Sequence, residues 1–233
     1  MIKVVLWDID GTILDFISAE HSAIKKCFEV CSLGECTDDM IKDYSTINVK
    51  WWEKLERNEI TKKEVLVNRF VEFFAKYNLD TSKAEMFNSE YQVRLGDFIY
   101  YEKHAKEVLN YLKGKVVQCA VTNGTKLAQN KKLSKSGFDQ IFDHIFISEN
   151  VGYEKPNIEY FNEVFSKIGE YERNEILIVG DSLTSDIKGG NNANILTCFY
   201  NPHHKEKKIS VHIDYEIDDL TEVLDIINKA KNN

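Results

Sequence analysis

The sequence predicts an α/β fold, a Rossmann-like parallel sheet with helices on both faces plus an inserted all-helical domain, on three observations. Short apolar runs rich in Val and Ile recur along the chain, the segments between most of them have helical character, and one long stretch near the N-terminus is helical throughout. Strands that alternate with helices call for crossover connections, and crossovers give parallel pairing.

The first strand is expected at residues 2–7, where Val4-Val5-Leu6-Trp7 runs up to Asp8. Further strands are expected at 116–122, 144–148, 176–180 and 195–200, each separated from the next by a segment with helical character. From about Asp15 to Gly96 the pattern changes. Phe16, Ala19, Ala23, Cys27 and Cys31 recur at three- and four-residue spacing, and Thr61 with Glu64 forms a capping box ahead of Val65, Leu66, Phe70, Phe73 and Phe74. The division expected is an α/β core of residues 1–14 and 97–233 with a helical cap at 15–96. Inserted after the first strand, the cap is expected to act as a lid. Lys229 to Asn233 are expected to form a frayed end.

With 233 residues, 43% of them apolar and 29% charged, the chain has the composition of a folded globular protein. A net charge of -8 without any basic stripe excludes a polymeric nucleic acid as partner, and leaves a small phosphorylated metabolite open, because a metal and one lysine can invert the field locally. No signal-peptide pattern and no apolar stretch of spanning length is present, so the expected location is the cytoplasm, away from the membrane. Five cysteines without paired spacing are expected to be reduced packing thiols, and His203 and His204 exposed loop residues.

Four segments, each just after an expected strand, carry chemistry. Asp8-Ile9-Asp10-Gly11-Thr12 offers two carboxylates, a turn-permitting glycine and a hydroxyl. A carboxylate attacks a phosphoryl group only where a metal or lysine cancels the repulsion. Thr122-Asn123-Gly124 supplies a hydroxyl, an amide and a glycine N–H suited to phosphate oxygens. Lys155-Pro156 supplies a point charge that neutralises both nucleophile and phosphate. Gly180-Asp181 through Asp186 places two acids where they can converge on one hard cation. Taken singly, each also reads as a turn, a solvated lysine or a helix cap; their order and repeated position at strand ends make the combination specific.

In these four segments the sequence resembles the haloacid dehalogenase-like superfamily. That resemblance covers nearly the whole chain and implies a magnesium-dependent phosphatase with an aspartyl-phosphate intermediate. It assigns Asp8 as nucleophile and metal ligand, and Asp10 as general acid/base that also ligates through its carbonyl. Thr122 and Asn123 become phosphate ligands and Lys155 the neutralising cation. Asp181 becomes a metal ligand, with Asp186 beside it through water or as support for Lys155. Asp10 favours phosphoryl transfer over dehalogenation, because a halide leaves without a proton. Tyr44, Ile47-Asn48, Trp51-Trp52, Glu56-Arg57, Ile60-Thr61 and Arg69-Phe70 look like the cap of the pyrimidine nucleotidases of that superfamily, which implies a 5'-nucleotidase acting on nucleoside monophosphates such as UMP, dUMP and dTMP. Asn48, Trp51 and Trp52 are then candidates for contact with the base, against the alternative that they belong to the cap core. A sugar-phosphate phosphatase and a phosphomutase share all four segments and remain the competing functions; a dehalogenase or a non-catalytic binding protein fits less well.

Overall fold

Residues 1–207 and 209–229 are described in the computed structural model. In chain order the elements are β1 (Val4–Trp7), α1 (Phe16–Val30), α2 (Asp38–Glu56), α3 (Lys62–Lys76), α4 (Ala84–Leu95), α5 (Ala105–Leu112), β2 (Val117–Thr122), α6 (Lys126–Ser136), β3 (His144–Ile147), α7 (Ser148–Val151), α8 (Ile158–Ile168), β4 (Ile176–Gly180), α9 (Lys188–Asn192), β5 (Leu196–Tyr200), β6 (Tyr215–Ile217) and α10 (Glu222–Lys229). Apart from Lys229, which closes α10, the expected frayed end lies outside the described residues.

The chain divides into two compact units, one of residues 1–15, 100–126 and 133–233, the other of residues 16–99 and 127–132. The first is built on a sheet of order β3-β2-β1-β4-β5-β6, every neighbouring pair parallel. β1 is central, with Val4 opposite Val117 on one side and Ile176 on the other. Its four residues are all fully buried, which is why the run carries no polar alternation. Val4 and Leu6 pack with Cys119, Val121, Ile176 and Ile178 against Tyr160, Phe161 and Val164 of α8. The strand order reverses between β1 and β4, and in such sheets the crevice beyond the carboxyl ends at that reversal is the ligand site.

The five expected strands are present; β6 is an addition. It is a three-residue edge strand, Tyr-Glu-Ile, too short and too polar to register as an apolar run.

The second unit is helical. α2 opens on Thr37, whose hydroxyl accepts from the Met40 N–H, and α3 on the expected Thr61–Glu64 capping box. With α1 and α4 they bury Phe28, Tyr44, Phe70, Phe73, Phe74, Phe87 and Tyr91 with edge-to-face and stacked rings, Tyr44 lying parallel to Phe70 at 5.0 Å. The first half of α6 groups with this unit, a tertiary assignment that no local signal announces in a helix following a strand. Cys27, Cys119 and Cys198 are buried, Cys31 and Cys36 half-buried, and all five are free thiols. Among the described residues no helix is long and apolar enough to cross a membrane.

Candidate active site

Asp8 follows β1 directly, and its N–H still donates to the Val179 carbonyl of β4 at 3.0 Å. The chain then turns on itself: the N–H groups of Ile13 and Leu14 both donate to the Ile9 carbonyl, and Gly11 takes a φ of 94°. A Cβ on Gly11 would come within 2.8–2.9 Å of the Asp181 carboxylate, so only glycine fits both the backbone angle and the space. Thr12 is fully buried and its hydroxyl lies 3.4 Å from Asp8 Oδ2.

Lys155 is 1% exposed and makes the centre of the cluster. Its ammonium donates to Asp8 Oδ1 at 2.6 Å, to Asp186 Oδ1 at 2.7 Å and to the Val121 carbonyl at 2.7 Å, which commits all three protons. Burial works against this cation, but Asp186 and Asp8 outweigh it and hold its pKa above the ordinary lysine range. Asp186 begins its own bonding within the π-helical turn Leu183–Ile187, where its Oδ2 accepts from the Ser182 N–H at 3.1 Å. A Cβ on Gly180 would lie 2.2 Å from the Asp186 carboxylate; that glycine is what lets Asp186 reach inward.

Asp8, Asp181 and Asp186 offer carboxylate oxygens that all lie within 4.8 Å of one another. Three hard oxygen donors in that space fit a divalent cation of the magnesium or calcium kind. Their electrostatics ask for one. Burial pushes Asp8 up to about 7, with Lys155 opposing and Asp186 adding to the rise. Burial likewise pushes Asp181 to about 6, against the Lys205 ammonium 3.4 Å away. One buried lysine does not balance the acids around it. The Asp10 carboxylate is half-buried and lies outside this trio.

Thr122 and Asn123 end β2, both buried. The Thr122 hydroxyl accepts from the Gly124 N–H at 3.0 Å. The Asn123 amide is committed to the main chain of Lys155: Oδ1 accepts its N–H and Nδ2 donates to its carbonyl, each at 2.8 Å. The structure thus gathers Asp8, Thr122, Asn123, Lys155, Asp181 and Asp186 at one edge of the sheet, the carboxyl ends of β1, β2 and β4.

The residues expected in the cap have other partners. Asn48 is 1% exposed; its Nδ2 donates to Glu20 Oε1 at 2.7 Å and its Oδ1 accepts from Arg69 Nη1 at 2.7 Å. Reading a base edge would require it to give up bonds already made within its own unit. Trp51 Nε1 donates to Glu72 Oε2 at 2.8 Å and its ring lies under the Lys54 ammonium at 4.4 Å; Trp52 is half-buried. Tyr44, from the same helix face, is core. Glu20 was not singled out in the sequence, although a carboxylate between Ala19 and Ala23 on the apolar stripe of α1 is a signal that a buried partner exists. Lys205 and Asn192, which touches Pro156, gave no such signal.

Against this geometry the comparisons are consistent. A family model for haloacid dehalogenase-like hydrolase matches residues 5–200. HAD-hydrolase YfnB of Bacillus subtilis is 36% identical over 97% of this chain and 95% of its own length. Its magnesium-bound crystal structure superposes with a TM-score of 0.92, covering 97% of this chain and 99% of that one. Pyrimidine 5'-nucleotidase PynA of Streptococcus pneumoniae is 32% identical, covering 97% of this chain and 95% of its own length. Pyrimidine 5'-nucleotidase YjjG of Escherichia coli is 28% identical, with 97% of each covered.

Proposed function

The chain belongs to the haloacid dehalogenase-like hydrolase family and is a phosphoric monoester hydrolase of it, and from that premise we propose that it is a magnesium-dependent 5'-nucleotidase for pyrimidine nucleoside monophosphates such as UMP, dUMP and dTMP. The observation that carries the chemistry is the Asp8 carboxylate, held 2.6 Å from a buried lysine and converging with Asp181 and Asp186. The substrate class is supported by the full-length similarity to the two nucleotidases.

Asp8 attacks phosphorus, the P–O bond to the nucleoside breaks, and Asp10 gives the departing 5' oxygen its proton. Asp10, now a carboxylate, then takes a proton from water as that water attacks the aspartyl phosphate, releasing phosphate and restoring the Asp8 carboxylate and the protonated Asp10. Lys155 favours the ionised form of Asp8 against its burial and offsets charge on the transferring group. Thr122 binds the phosphoryl oxygens, and Asn123 beside it bonds the main chain of Lys155. Asp8, Asp181 and Asp186, with the Asp10 carbonyl, would hold magnesium, Asp186 directly or through water. When bound it supplies the positive charge that the surplus of acids lacks and lets an anion approach Asp8. Residues 15–96 we assign as the cap domain that selects the ester, and residues 1–14 and 97–233 as the catalytic core.

The test is phosphate release from a panel of nucleotides and sugar phosphates, with magnesium and with EDTA. We expect pyrimidine monophosphates to be preferred and EDTA to abolish release. Preference for a sugar phosphate, or transfer of the phosphoryl group to a second sugar hydroxyl, would overturn the nucleotidase reading.

A further inference from the structure

Lysine is a flexible side chain, and a lysine that must meet Asp8, Asp186 and the Val121 carbonyl together needs a fixed backbone from which to reach them. In this chain that fixing has an identifiable source. Asn123, 8% exposed, brackets the Lys155 main chain with two opposed hydrogen bonds of 2.8 Å, N–H to Oδ1 and Nδ2 to carbonyl. One residue further on, the Pro156 carbonyl accepts from Asn192 Nδ2 at 2.9 Å. The two asparagines come from different elements, the end of β2 and the end of α9, and together they bond three consecutive main-chain groups of Lys155-Pro156.

We propose that Asn123 and Asn192 are positioning residues that act through Lys155, and that the Asn123 side chain is not itself a phosphate ligand. This rests on the phosphatase reading. A side chain that donates to and accepts from the main chain of one residue at two short, buried distances gives up those bonds to reach a substrate oxygen, and doing so would leave the Lys155 N–H buried without a partner. Asn123 therefore links the phosphate-binding strand end to the cationic loop, and Asn192 steadies the same loop from α9. Asn192 is an exposed residue, so its share is the smaller.

The test is a double-mutant cycle on the full chain with magnesium and an aryl phosphate of good leaving group, chosen so that Lys155→Met keeps measurable turnover. Asn123→Ala should lower kcat roughly 10- to 100-fold with KM changed less than about threefold, and Asn192→Ala should lower kcat by about two- to fivefold. Beside Lys155→Met both asparagine changes should be nearly silent. A raised KM at unchanged kcat would make Asn123 a substrate ligand and overturn the proposal, as would full additivity with Lys155→Met. A second readout needs no turnover: hydrogen exchange at the Lys155 amide should speed up in Asn123→Ala and less in Asn123→Asp, which keeps the acceptor. Unchanged exchange would show that no such bracket exists. Where the wild-type protein releases no phosphate from any ester, the functional reading fails alone, and the exchange result still decides whether the bracket stands.

Discussion

Each unit buries charge, and the two do it differently. In the α/β unit, three carboxylates converge on one another, and two of them, Asp8 and Asp186, share one buried lysine whose protons are all committed, leaving a surplus of buried negative charge. In the helical unit, Glu20 is bonded by Ser45 and Asn48, Asn48 leads to Arg69, and Arg69 goes on to Asn88 and lies against the Phe70 and Tyr91 rings. There one buried acid faces Arg69, with Lys132 also near enough to favour its ionised form. Burying unbalanced charge is costly, so a fold that retains the imbalance keeps it for something that arrives with the opposite sign. A cluster that closes on itself needs nothing more. The contrast separates a site for chemistry from a network that organises a domain.

The sharpest way to break that contrast is at Asp8. Asp8→Asn removes the nucleophile and should lower turnover by at least about a thousandfold, whereas Glu20→Gln should leave kcat within roughly a fewfold of wild type. Asp10→Asn should slow turnover and let phosphate accumulate on Asp8, which intact-protein mass spectrometry reads as an added phosphoryl group. Substantial activity in Asp8→Asn would refute covalent catalysis.

A second, smaller effect is the response to pH, and metal divides it between the clusters. Burial raises Glu20 from the ordinary carboxylate range to about 7, against hydrogen bonds from Ser45 and Asn48 and the charge of Arg69. Folding therefore favours protonated Glu20. The associated stability is fully present below the unfolded pKa near 4.5 and is lost as pH rises through about 7, on the order of 3 kcal/mol in all. Asp8, raised to about 7, and Asp181, raised to about 6, have the same sign while no cation is bound. In EDTA, urea unfolding between pH 5 and 8 should show both contributions. Magnesium should remove that of Asp8 and Asp181 and leave that of Glu20, and Glu20→Gln should remove only the latter. A pH dependence that magnesium leaves unchanged would mean that the acids of the α/β unit do not face a cation.

The two clusters were also unequally legible in the sequence. Asp8, Lys155, Asp181 and Asp186 stand beside strand ends, where the alternation of strand and helix had already located a crevice, so position and chemistry reinforced each other. The glycines that admit them, Gly11 and Gly180, belong to the same short segments. Nothing local places Glu20 against Asn48 and Arg69, because the three come from α1, α2 and α3 and meet only through tertiary packing. Asn123 shows the intermediate case: its place beside Thr122 was readable, but the direction of its amide depends on a loop 32 residues further along. β6 was invisible for a different reason, being a short edge strand with a glutamate at its centre.

The smallest expected effect tests whether the helical unit does more than hold itself together. Trp51 is tied by its N–H to Glu72, which also meets Lys50 at 2.9 Å, so its ring, packed partly buried against the aromatic core, is also held by a surface network. A ring that is only partly buried, with the mobile Lys54 side chain over one face, differs from the fully enclosed ring of Tyr44 in that a base can compete for it. Trp51→Ala should then raise KM for a pyrimidine nucleotide by about three- to tenfold, and KM for a generic aryl phosphate by less, with kcat for both nearly unchanged. Trp51→Phe separates the two roles of the indole, because it keeps a ring while deleting the donor to Glu72. Recovery of nucleotide KM in Trp51→Phe would assign the effect to stacking; equal rises in KM for both esters would return Trp51 to the scaffold and confine recognition to the phosphate.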